Sequence, residues 1–61
     1  MSVMIQVQQN TISGRWEVRE NGRKVVDTNH KSLAIENAFT ICNSLARDGI
    51  EVLTSFDLRG E

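Results

Sequence analysis

The dipeptide Asn21-Gly22 constrains this chain more than any other feature, because it lies between two alternating runs and suits a two-residue hairpin turn. A type I′ turn needs positive φ at both central residues, which Asn and Gly tolerate best. It sets a register. With these two residues as the loop, Glu20 faces Arg23, Arg19 faces Lys24, Val18 faces Val25, Glu17 faces Val26 and Trp16 faces Asp27. Cross-strand partners share a face of the sheet. Trp16, Val18 and Val25 are therefore expected on one apolar face, with Arg15, Glu17, Arg19, Lys24 and Val26 on the other.

The rest of the chain supplies a partner for that apolar face. Val3, Ile5 and Val7 alternate with polar residues and predict a strand from Met1 to Gln9, followed by a polar, Gly-ended turn from Asn10 to Gly14. From about Asn29 to Asp48 the apolar residues take helical spacing. Projected on a helix, Ala34, Ile35, Ala38, Phe39, Ile41, Cys42, Leu45 and Ala46 fall in one arc, and Leu33 alone lands on the polar side. Thr28 or Asn29 is the expected N-cap, and Gly49 with Ile50 suits a Schellman ending. Ile50 to Leu58 alternates again, placing Val52, Phe56 and Leu58 on one side and Leu53, Ser55 and Asp57 on the other. The expected fold is α+β: a small antiparallel sheet of three to four strands, covered on one face by one helix, in the order β-β-β-α-β.

Size and charge narrow the functions. Sixty-one residues suffice for a single domain over residues 1–61, with residues 59–61 expected as a frayed tail. At this size a fold buries only about 60% of its unfolded surface. One cysteine permits no internal disulfide, so a homodimer is the natural source of further burial. The formal charge of −1 argues against a dedicated nucleic-acid binder, although residues 1 to 31 carry +2 and residues 32 to 61 carry −3. There is no apolar run of membrane-spanning length and no signal-like N-terminus, which leads to the expectation of a cytoplasmic protein without membrane contact.

Several short motifs occur in a familiar order: Arg15-Trp16-Glu17-Val18-Arg19, the turn at Gly22, Ala34-Ile35-Glu36-Asn37-Ala38, and Asp48-Gly49-Ile50-Glu51-Val52. Over residues 3 to 60 the chain resembles a family of short bacterial and phage proteins, the domain of unknown function catalogued as twenty-one eighty-eight. The resemblance implies a compact sheet with one covering helix and implies no activity. Leu33 stands where the family tends to carry an acid, and Ser55 to Gly60 depart from its Gly-Arg-Asp-Gly-like end. A looser similarity is to integrase arm-binding domains, which read DNA with a three-stranded sheet.

Chemistry-bearing residues are sparse. Cys42 lies within the apolar arc, where burial favours the thiol over the thiolate, and reads as a small core residue. His30 reads as a helix-start residue, with a pH-sensitive partner contact as the alternative. No nucleophile with a base, metal-ligand set or phosphate loop can be assembled, so the expectation is a non-enzymatic protein without cofactor or metal. The opposed Arg19 and Lys24 call for an anion nearby: Glu17, an acid of another subunit, a phosphate, or solvent. Arg15, Glu17, Arg19, Lys24, Val26 and Leu33 are the candidate partner-binding residues. The expected function is a protein-interaction module, an accessory, regulatory or inhibitory protein of bacterial, phage or mobile-element origin. The alternatives are a weak nucleic-acid binder using Arg15, Arg19, Arg23 and Lys24, and, at a distance, an enzyme.

Overall fold

The computed structural model describes residues 2 to 59. Strands β1 (Ser2–Gln9), β2 (Trp16–Glu20) and β3 (Arg23–Thr28) precede helix α1 (Lys31–Arg47) and strand β4 (Glu51–Phe56). They form one four-stranded sheet in the order β3-β2-β1-β4. The α+β class and the β-β-β-α-β order are as the sequence predicts. The sheet, however, is mixed: β1-β2 and β2-β3 are antiparallel, while β4 runs parallel to β1. The helix is the reason. It reverses the chain once after β3, so β4 emerges in the direction shared by β1 and β3. Of the expected tail, Gly60 and Glu61 lie outside the described residues, and Arg59 pairs with Asp57 at 3.0 Å.

Alternation puts the core under the helix. Val3, Ile5 and Val7 of β1, Trp16 and Val18 of β2, and Ala34 and Ala38 of α1 are all buried. Burying side chains such as Ile5, Val7 and Val18 contributes roughly 1.5–3 kcal/mol each. Ala34 and Ala38 lie one turn apart and let the helix approach the sheet closely, with Ile41 and Leu45 completing the contact line. Phe39 departs from the expected core. It is 55% exposed and meets Phe56 edge-on-tilted, with ring centroids 5.7 Å apart. At about 100° per residue, Phe39 lies more than 90° around the helix from the Ala34-Ala38-Ile41-Leu45 line, so it meets the sheet at Phe56 on the β4 edge rather than over the core.

The turn forms as expected, with φ of 53° at Asn21 and 87° at Gly22. Asn21 also ties the hairpin to β1, since its side-chain oxygen accepts the Met4 N–H at 2.9 Å and its own N–H donates to the Met4 carbonyl at 2.9 Å. Beyond Arg19↔Lys24 the register shifts. A bulge makes Val18 face Val26, Glu17 face Asp27 and Trp16 face Thr28. One extra residue reverses the assignment of every residue after it. Val26 consequently packs against the core on the helix side, Val25 is exposed, and Asp27 moves to the face expected to hold Val26.

The helix ends as predicted and starts differently. Gly49, at φ 79°, donates its N–H to Ala46, and Ile50 donates to Leu45, both at 3.0 Å, which completes a Schellman motif. At the other end the N-cap is His30, without a side-chain cap. Asn29 is occupied elsewhere, accepting from Arg15 Nη1 at 2.7 Å, and the Thr28 hydroxyl accepts the His30 N–H at 3.2 Å.

Candidate partner-binding face

The face of the sheet away from the helix carries an organised charge cluster. Glu17 lies at its centre, on β2 between β1 and β3, and is only 3% exposed although no helix covers it. Its cover is a layer of side chains. Arg19 donates to Glu17 Oε1 through Nε at 3.2 Å and Nη2 at 3.1 Å, and Asn10 Nδ2 donates to Oε2 at 3.3 Å. Lys24 Nζ stands 3.9 Å from the same carboxylate and 3.1 Å from Asp27. Asp27 in turn pairs with the Arg15 guanidinium. The Arg19-Lys24 opposition is thus resolved within the chain, Glu17 being the anion that the like-charged pair requires.

These contacts fix the charge states. Burial alone pushes the Glu17 pKa up, but the hydrogen bonds from Asn10 and Arg19, with the Arg19 and Lys24 charges, outweigh it and hold the carboxyl below its ordinary value. Hydrogen bonds from Arg15 and Lys24 do the same for Asp27. Both acids are therefore carboxylates at neutral pH.

Four of the six expected partner-binding residues, Arg15, Glu17, Arg19 and Lys24, come together here. Val26 does not, because the bulge turns it toward the core. Leu33 is 43% exposed on α1, in the layer opposite this face. Asp27 and Asn10 belong to the cluster and were not anticipated. Alternation across an unbroken ladder places Asp27 opposite Trp16, and only the bulge brings it to Arg15. Asn10 reaches Glu17 from the β1-β2 loop, where its side-chain oxygen also accepts from the N–H groups of Ile12 at 2.9 Å and Ser13 at 3.2 Å. That loop holds Ile12 96% exposed at its tip.

The remaining candidates are dispersed. Cys42 is half-buried on α1, and burial raises its thiol pKa. His30 lies at the helix start in a shallow depression with Trp16, Asn29, Lys31, Ser32 and Ile35. Lys31 Nζ lies 5.8 Å from the Trp16 ring centroid. Among the described residues no three of His, Cys, Asp and Glu converge as a metal-holding group, and no helix is long and apolar enough to cross a membrane. Comparison of the chain with family models, curated proteins and solved structures gives no match.

Proposed function

We propose that this chain is a small protein-interaction module that binds another protein through the uncovered sheet face. The family resemblance stands as part of that reading. The observation that carries it is the pairing of Arg15, Arg19 and Lys24 with Asp27 and Glu17. A phosphate-binding surface needs cations free to replace counterions, whereas here three of the four basic residues in question already have carboxylate partners. What the face offers instead is donors and acceptors in fixed positions, beside Met4, Gln6 and Gln8 of β1. Such a mixed polar and apolar surface suits the rim and core of a protein contact.

The test is capture from host lysate, with and without nuclease, by the wild-type chain and by Gln6→Arg/Gln8→Arg. These substitutions add bulk and charge to the middle of the face, opposite Arg19 and Glu17, and remove no member of an ion pair. A protein captured by the wild type, resistant to nuclease and lost in the variant is the expected result. Capture that disappears with nuclease and weakens steeply with salt supports the nucleic-acid alternative instead.

A further inference from the structure

We propose that β4 is a self-association edge, through which two copies of the chain join β4 to β4, antiparallel, about a two-fold axis at Leu53. The product is one continuous sheet built from two of the four-stranded sheets.

The backbone leaves this edge open. Asp57 donates its N–H to the Val7 carbonyl at 2.8 Å, toward β1. Main-chain groups alternate in direction along a strand, so Val52, Thr54 and Phe56 direct theirs away from β1. Among the described residues no strand meets them.

The two edges of the sheet are treated differently. The β3 edge carries Arg23, Lys24 and Asp27 and is broken by a bulge, devices that discourage edge pairing. The β4 edge has no bulge and less charge. Its register with β1 is regular from Ser2↔Glu51 to Val7↔Phe56, and its one charged residue, Glu51, stands at its start. Exposed apolar groups flank it on both sides, Leu53 (45% exposed) on the open face and Phe39 beside Phe56 on the helix face. An edge of this kind is a template for another strand.

Symmetry selects the occupant. A two-fold axis perpendicular to the sheet keeps both helices on one side and must pass through a residue, so that like faces oppose. Centred on Leu53, it sets Leu53 against Leu53, Val52 against Thr54, and the Glu51 carboxylate against the Ser55 hydroxyl, which donates to it. Centred on Thr54, the axis opposes Glu51 to Asp57, two acids. Centred on Ser55, it opposes Leu53 to Asp57. Of the three, only the Leu53 register opposes Glu51 and Asp57 to neither an acid nor an apolar side chain, and this match belongs to a second copy of the same strand. The surface is separate from the Arg15-Asp27 cluster on the β2-β3 side, so either assignment can fail without the other.

Cross-linking tests the register directly. An antiparallel pair at a non-hydrogen-bonded site has Cα atoms about 4.5 Å apart, within disulfide reach. In a Cys42→Ala background, Leu53→Cys is expected to oxidise to a covalent dimer at micromolar concentration, and Ser55→Cys to remain monomeric under the same conditions. Sedimentation of the wild type is expected to show a reversible dimer, weakened about tenfold or more by Leu53→Asp. Far-UV circular dichroism checks that this exposed substitution leaves the fold intact. A wild type that sediments as a monomer throughout the micromolar range overturns the proposal. So does a dimer that cross-links through Ser55 and not Leu53, or one indifferent to Leu53→Asp.

Discussion

The Glu17 carboxylate accepts two hydrogen bonds from the Arg19 guanidinium, at 3.1 and 3.2 Å, two residues along the same strand. Sharing a face at that spacing, the pair shields a carboxylate that would otherwise be in water, on the side of the sheet that no helix protects. Removing the charge therefore tests an electrostatic contact rather than the apolar core.

Glu17 and Asp27 both have folded-state pKa values below the ordinary carboxylate range. A depressed pKa contributes stability that is present above the unfolded value, about 4, and is lost as pH falls through the folded one. Urea denaturation followed by Trp16 fluorescence should show a midpoint that is flat from neutral pH to about 5 and falls below about 4. In Glu17→Gln the fall should be shallower. An unchanged acid limb would mean that Glu17 contributes nothing to it.

The helix start offers a gain. His30 has extended backbone, φ −116° and ψ 121°, as an N-cap requires, but it makes no side-chain cap, and the first turn contains no acid. His30→Asp should cap a free amide and oppose the helix dipole, raising stability by about 1 kcal/mol at neutral pH. Thermal melts of the two proteins would decide it; an unchanged or lower Tm removes the argument.

The two classes of apolar residue should respond differently to truncation. Val18 is fully buried at the centre of the sheet, and Val18→Ala should cost on the order of 2 kcal/mol, transfer and cavity together. Phe39→Ala removes a larger side chain, yet it should cost less than Val18→Ala, because the ring is more than half exposed and its main contact is Phe56. Urea titration gives both values. The reverse order would mean that Phe39 is covered in solution.

What could be read in the sequence follows the range of the interactions. The Asn21-Gly22 turn and the Gly49-Ile50 ending depend on backbone preferences of the residues themselves, and both form as expected. The buried positions of β1 and the Ala34-Ala38 seam follow from periodicity. The bulge at Val25 follows from neither. Val25 and Val26 are both β-branched and apolar, so nothing local says which of them faces the core; the helix and β2 decide it together. Asn29 is a good cap by residue type, but its oxygen is taken by Arg15, a contact set by the same shifted register. The candidate site was legible as a set of charges on one face. Its internal pairing was not, because Asp27 joins only after the bulge.

The parallel seam between β1 and β4 joins the most distant parts of the chain, with Val3 beside Val52, 49 positions away. Closing so long a loop costs entropy before the seam returns any contact energy, whereas the β2-β3 hairpin closes over two residues. The order of events is thereby biased, with the hairpin early and the seam late. In stopped-flow measurements, Gly22→Ala, which strains a residue at φ 87°, should act mainly on the folding rate, and Val52→Ala mainly on the unfolding rate. If Val52→Ala slowed folding instead, the chain would have to close its longest loop first. In the expected order, the lifetime of the folded state is governed by the last strand to dock.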